Sequence, residues 1–427
     1  MESARSRKAK SAKRQRVVKK GKKAESGANF DDGNDSDSGS IASSVSTAFS
    51  EDLDADFQGD VDEVGDDIEQ ILIDNIEGAS AKSAKERQSS IKEVKRCLCR
   101  KYTPEFIDGR KDTLLDVVER LLKRGQTADK AAVANLGSLL CLQLGAANSL
   151  NVYRTLKPLL VTVINDTAQS FSARSSCALA LGMCCFIGSE ELGEVTDCMN
   201  VLRNVFSKKA KEIATDEGLM SSSVLSWGLL LTVASNAAQN EAIEENLEKL
   251  YRLLENGKLG LRLATGEVIA LIYELGRELD ETFDMYVDGL YDLLKELATD
   301  SSKYKAKREK RQQRSTFRDV LKTVESGMAP AEKVKFGIEK IELSSWTRIR
   351  QYNALKDSLG PGIATHLQEN VLLREIFGLG APLINREVVS KEDRWGKMLQ
   401  NAAAEKERTK NRSKGRENKR AAAAHGF

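Results

Sequence analysis

The 427-residue chain has room for two or three folded units, on a prior of roughly 100–200 residues for each. A hydrophobic content of 41% supports a real core, while 5% aromatics and five prolines argue against a β-sandwich and for an Ala/Leu-rich helical protein. The net charge of +2 conceals blocks of opposite sign, and two histidines leave acid–base, triad and zinc chemistry almost nothing to work with.

Residues 1–65 read as a disordered, basic-then-acidic tail. Residues 1–23 carry eleven Lys/Arg and one Glu; residues 24–81 carry no Lys or Arg and seventeen Asp/Glu. The first block reads as a nuclear-import signal or a nonspecific nucleic-acid arm. The second is Ser/Gly/Asp-rich and cannot bury enough apolar surface to offset chain entropy. Its serines beside acids suit phosphorylation, and the block is expected to cover basic surfaces of the same chain when no partner is bound. Seven cysteines, an odd number lying mostly in apolar helical runs, predict buried reduced thiols in a cytosolic or nuclear protein. No secretory leader opens the chain, and no apolar run is expected to reach the roughly 18 residues that span a bilayer.

From 66 to 300 the chain repeats. NLGSLLCLQLG closes on Gly145, ALGMCCFIG on Gly188 and VIALIYELG on Gly276, with SVLSWGLLLTV (223–233) filling the gap between the last two. One period upstream of Gly145 stands SIKEVKRCLCRKY. A period of roughly 40–47 residues with two or three helices is the HEAT/armadillo signature. Neighbouring pairs must stack because no single pair buries its own apolar face. The expectation is an all-α solenoid with about five inner helices, each preceded by an outer one such as the Leu114, Leu115, Val118, Leu121 and Leu122 stripe. Small residues (Ala131, Ala132, Ala134, Ala173, Ala178, Ala180) allow the helices to approach closely.

Residues 301–325 form a basic hinge and an amphipathic helix. Lys303, Lys305, Lys307, Arg308, Lys310, Arg311 and Arg314 face a single acid, Glu309. Phe317, Val320, Leu321 and Val324 then take the i, i+3, i+4, i+7 spacing of one buried helix face, with Ser315 or Thr316 as the expected N-cap. Residues 326–390 read as a small, mostly helical C-terminal domain: a hairpin within 334–345, a helix marked by Trp346, Ile349, Tyr352 and Leu359, a Gly360-Pro361 stop, and a second helix through Ile363, Leu367, Val371, Ile376 and Phe377. Residues 391–427 form a basic C-terminal helix or tail. In it, Lys406, Arg408, Lys410, Arg412, Lys414 and Arg416 fall on alternate positions, followed by Lys419 and Arg420. Alternate residues of a helix step by about 200°, so these cations point in all directions. A helix enclosed by phosphates uses that arrangement; so does an extended arm along a groove. Gly415 works against a stiff helix to its end.

No phosphate loop, GxGxxG, HExxH or GxSxG motif occurs. His366 reads as a structural or surface residue. Cys177, Cys184, Cys185 and Cys198 lack paired metal spacing, and Cys97-x-Cys99 diverges on a helix. Trp227 is assigned to the core, and Trp346 and Trp395 to packing before base stacking. No cofactor, small-molecule substrate, membrane or enzymatic activity is expected.

AKREKRQQRSTFRDVLKTVE, VKFGIEKIELSSW and the tail ERTKNRSKGRENKRA, in that order after LGSLLCLQLG and ARSSCALALGMCCFIG, resemble the interferon-related developmental regulator family. The resemblance covers roughly 66–420, with 207–222 and 236–246 matching poorly. It implies a helical-repeat domain, a small C-terminal domain and no enzyme activity. It also implies either of two roles. One is binding to translationally silent ribosomes with the basic C-terminal helix in the mRNA path, where Lys406, Arg408, Lys410, Arg412, Lys414 and Arg416 are the positions that would touch ribosomal RNA. The other is transcriptional co-regulation with histone deacetylase complexes during differentiation.

Two expectations follow. The first is a ribosome-binding repressor, both cytoplasmic and nuclear, that contacts rRNA phosphates through the hinge and tail cations. The second is a nuclear scaffold whose concave solenoid face binds protein partners.

Overall fold

The computed structural model describes residues 68–207, 216–283, 287–300 and 306–382. Among the described residues twelve helices come first: α1 (Ile68–Gly78), α2 (Ala84–Arg100), α3 (Pro104–Asp108), α4 (Lys111–Arg124), α5 (Thr127–Asn165), α6 (Phe171–Gly188), α7 (Leu192–Phe206), α8 (Glu217–Leu231), α9 (Asn236–Asn256), α10 (Leu259–Leu279), α11 (Leu290–Thr299) and α12 (Lys307–Ser326). Serine caps open several of them. Ser83, Ser170 and Ser235 each accept a hydrogen bond from a backbone N–H three residues on, satisfying a first-turn donor that has no helical partner.

α5 is two helices joined end to end at Gly145, whose φ of 73° and ψ of 176° interrupt the spiral. A side chain resists such a φ, and glycine does not. The Ser149 hydroxyl lies 2.6 Å from the Gly145 carbonyl and 3.1 Å from that of Cys141, giving partners to carbonyls freed by the break. α2, the first limb of α5, then α6, α8, α10 and α12, pack in succession as the inner row; α4, the second limb of α5, α7, α9 and α11 back them as the outer row. This is the predicted helical-repeat solenoid, with α12 added as an inner helix beyond the five expected. Close approach within the inner row is secured by glycine as well as alanine. A Cβ on Gly182 would lie 2.6 Å from Ser226 Cβ, one on Gly228 2.7 Å from Val268, and one on Gly266 2.7 Å from the Phe317 ring.

α5 and α6 each hold an 18-residue stretch long and apolar enough, by length and composition, to cross a membrane, which the sequence reading did not anticipate. About two-thirds of each (61% and 67%) is buried inside the protein. All seven cysteines are buried and unbridged.

The polypeptide then turns back. β1 (Glu332–Phe336) and β2 (Glu339–Leu343) form an antiparallel hairpin, followed by α13 (Trp346–Leu359), a single 3₁₀ turn at 360–362, α14 (Ile363–Glu369) and α15 (Val371–Ile376). Asn370 splits the second expected helix into α14 and α15, its side-chain oxygen accepting from the N–H groups of Leu372 and Leu373. This segment does not stand apart as a small domain. α13 lies across α2, α5, α8 and α10, and its buried residues belong to the same apolar cluster as the solenoid, from Leu72 to Leu373. Gly362 sits so close to α2 that a Cβ would fall 1.8 Å from the Cys99 carbonyl oxygen. The inner face, expected to be open to protein partners, is therefore occupied by the chain's own C-terminal helices.

Polar residues fix how they seat. Glu274 of α10 accepts from the backbone N–H of Trp346 at 2.6 Å and of Thr347 at 2.8 Å, capping α13 from outside. Arg350 meets Glu267 at 3.2 Å, with both side chains buried. Asn370 donates to the Leu142 carbonyl at 2.8 Å and to His366 Nδ1 at 3.2 Å, which leaves His366 Nε2 as the donor to the Leu98 carbonyl at 3.0 Å. Burial pushes the His366 pKa down to about 4, so the ring is neutral and structural.

Candidate nucleic-acid interface

The basic run and the amphipathic run are one continuous helix. α12 begins at Lys307 with Ala306 as its N-cap, so Ser315 and Thr316 lie inside it rather than opening it. Lys, Arg, Glu and Gln are good helix formers. Packing also holds the first half: Gln313 is fully buried and donates to the Leu297 carbonyl at 3.3 Å and to Asp300 at 3.1 Å. Thr316, Phe317, Val320 and Thr323 continue the buried face, with Phe317 set against Gly266.

The far end is clamped. Arg277 donates to the carbonyls of Thr323 at 2.5 Å and Val324 at 2.6 Å, a cation at the negative end of the helix. Gly327 ends the helix in the left-handed conformation with φ 70°. Trp346 Nε1 donates to Thr323 Oγ1 at 2.8 Å, joining α12 to α13. Trp346 and Trp227 are both buried at 1% exposure and belong to the core.

With one face locked, the opposite face is fixed in direction. At about 100° per residue, Lys307, Arg311, Arg314, Arg318 and Lys322 fall within an arc of about 80°, and at about 1.5 Å rise they span about 22 Å. Arg308 and Lys310 flank the arc on either side. Lys307, Arg308, Arg311, Arg318 and Lys322 are exposed, and Lys310 and Arg314 are partly covered. Glu309 points about 200° away from Lys307. The stripe meets its first acid at Glu325, which is hydrogen-bonded by the Tyr291 hydroxyl. Asp319, at the margin, has its carboxyl pushed up by burial, against the pull of Lys322 and Arg318.

Of the cations singled out by sequence, the structure thus brings Lys307, Arg308, Lys310, Arg311 and Arg314 onto one helix. Lys303 and Lys305 lie outside the described residues, as do Lys406, Arg408, Lys410, Arg412, Lys414, Arg416, Lys419, Arg420 and Trp395. Arg318 and Lys322 escaped the sequence reading, although their i+4 and i+8 spacing from Arg314 carried the signal. Among the described residues no group of three or more His, Cys, Asp or Glu is placed to hold a metal ion.

Residues 38–325 match the family described as interferon-related developmental regulator, and residues 370–420 match the interferon-related protein conserved region. The chain belongs to the interferon-related developmental regulator family. It is 39% identical over 366 residues to mouse interferon-related developmental regulator 2, covering 82% of this chain and 83% of that one. Against human interferon-related developmental regulator 1 it is 39% identical over 373 residues, covering 84% and 82%. Two solved structures share 15% identity with it. An engineered protein gives a TM-score of 0.41, covering 59% of this chain and 98% of its own. A designed armadillo repeat protein in complex with the peptide (KR)4 gives 0.37, covering 60% and 99%. The interferon-related developmental regulator family is not typical of enzymes. The second family match runs from Asn370, which seats the C-terminal segment on the solenoid, to the last tail cation, Arg420.

Proposed function

We propose that this interferon-related developmental regulator is a non-enzymatic, ribosome-binding repressor of translation, found in cytoplasm and nucleus. The α12 stripe contacts rRNA phosphates, and the cations of 405–420 enter the mRNA path. The observation that carries the reading is a five-cation stripe on a helix whose other face is immobilised in the core. A terminal helix kept polar only for solubility needs no single sign of charge. Here Arg and Lys recur for about four turns without an intervening acid. No aromatic residue interrupts the stripe, so contact falls on phosphates and backbone shape, which is how structured RNA is mostly read.

The alternative, a nuclear scaffold working with histone deacetylase complexes, receives less support. The inner face it needs is filled by α13, α14 and α15. Replacing Arg311, Arg314, Arg318 and Lys322 together by Gln tests the choice. With about 0.7 units of log–log salt slope per phosphate contact, the variant should lose roughly 3 units of slope on RNA and leave ribosomal fractions. Unchanged co-sedimentation at every salt concentration would overturn the reading.

A further inference from the structure

The hairpin carries an arrangement that its own stability does not explain. Strand alternation turns Glu332, Val334 and Phe336 of β1, and Glu339, Ile341 and Leu343 of β2, toward the body of the protein, with Phe336, Ile341 and Leu343 buried. The solvent side is left with Lys333, Lys335, Lys340 and Glu342, all exposed. The register sets Lys333 opposite Glu342, a favourable pair, and Lys335 opposite Lys340. Residues directly opposite on an antiparallel pair have Cβ atoms roughly 4.5–5.5 Å apart, and like charges there destabilise the hairpin. Glu at either position would remove the repulsion.

The hairpin is held firmly in spite of it. Arg374 grips Glu339 through two hydrogen bonds of 2.9 Å, and β1 packs on α14. At the tip, Gly337 turns with φ 54° and Ile338 is 64% exposed, the largest exposure among the described large apolar residues. A rigid finger therefore presents two opposed ammonium groups on its stem and an apolar side chain at its end. It follows α12 directly, joined by residues 327–331.

We propose that this hairpin is a second RNA-contacting element, in which Lys335 and Lys340 hold one backbone phosphate between them. Lys333 flanks that phosphate, and Ile338 packs against the neighbouring ribose or base edge. The inference rests on the reading of α12 as an RNA-facing surface. A phosphate supplies two anionic oxygens, one for each ammonium, and its charge cancels the repulsion that the free hairpin carries. The apolar tip beside the cations suits a nucleotide, whose sugar and base edges adjoin its phosphate, better than an acidic peptide.

The decisive variant is Lys340→Glu in the full chain, because it separates stability from binding. It converts the like-charge pair into an opposite-charge pair, so its melting temperature should equal or exceed that of the parent. Its affinity for a fluorescein-labelled RNA stem-loop should fall at least about fivefold at 0.1 M salt, the value of one lost phosphate contact at a slope of about 0.7. Lys335→Gln with Lys340→Gln should lose about 0.7 units of slope, the value of the one phosphate they share. Ile338→Ser should weaken binding without changing the melt. Affinity within twofold of the parent for Lys340→Glu would overturn the proposal. So would an equal loss of affinity for poly-glutamate, which would make the occupant an acidic polypeptide. If the α12 variant loses RNA while Lys340→Glu keeps it, the hairpin assignment alone fails; the reverse result removes the α12 reading and leaves the hairpin as an RNA contact by itself.

Discussion

Replacing Arg350 by Met removes the counter-charge from a carboxylate that water does not reach. The Glu267 side chain is 2% exposed and that of Arg350 4%, with 3.2 Å between them. Asp357, 3.9 Å from the other guanidinium nitrogen, is more exposed and loses less when the cation is removed. Breaking a buried pair from one side costs about 3–5 kcal/mol, because the remaining charge is uncompensated. For a chain of this length, each kcal/mol lowers the melting temperature by about 2 °C, so the expected deficit is about 6–10 °C at pH 7. The pH dependence has a definite sign. Burial already pushes the Glu267 carboxyl up, and Arg350 pulls it down. A carboxyl whose folded pKa lies above its unfolded value binds protons more readily when folded, so its contribution worsens as pH rises and recovers on acidification. Without Arg350 the carboxyl rises further, and the deficit should be largest near pH 8 and shrink toward pH 5. Circular-dichroism melts from pH 5 to 8, with hydrogen exchange over 346–359, read both effects. Adding Glu267→Leu should return most of the loss, since a well-packed apolar pair is often as stable as a buried ion pair. A deficit under 2 °C, or one that grows on acidification, would refute the picture of α13 as a helix seated by this pair.

His366 works in the opposite direction. Its folded pKa of about 4 lies below the ordinary 6.5, so its contribution is complete above pH 6.5 and is lost as pH falls toward 4. By pH 5 the loss is about 2 kcal/mol, and His366→Gln should flatten that part of the melting-temperature profile. A profile that stays parallel to wild type would show that the ring is not held neutral. Gly362→Ala should detach the 360–363 turn from α2, because the new Cβ would lie 1.8 Å from the Cys99 carbonyl oxygen, a backbone atom that cannot swing aside. The cost should reach or exceed the roughly 3 kcal/mol upper end of ordinary overpacking. Limited proteolysis after the hairpin reads the detachment, and unaltered cleavage would contradict the close approach.

The solenoid was legible in the sequence because three inner helices close an apolar 3.6-residue pattern near glycine, at Gly145, Gly188 and Gly276, at spacings that a fourth, SVLSWGLLLTV, completes. The candidate interface was only half legible. Ser315 and Thr316 resemble an N-cap, but their helix starts eight residues earlier because Gln313 is buried and bonded to the end of α11 and Thr316 is itself buried. That burial carries the cationic stripe through to Arg318 and Lys322. The hairpin's Lys335 and Lys340 were legible as residues but not as a pair, since register depends on where the turn falls.

Local pattern alone determined the helical class, the repeat, the strands near 334–345 and the positions of the cations, because periodicity states which face of an element is apolar. It could not state what that face meets. Polar Arg350, Gln351 and Asn353 carry no mark of burial in the sequence, and His366 reads as structural or surface, yet all four are buried, with partners up to 268 positions away in the chain. Only the folded-back chain put Glu267, Thr232 and the Leu98 carbonyl beside them, and so decided that the inner face is covered while Lys307, Arg311, Arg318 and Lys322 of α12 and Lys333, Lys335 and Lys340 of the hairpin stay exposed.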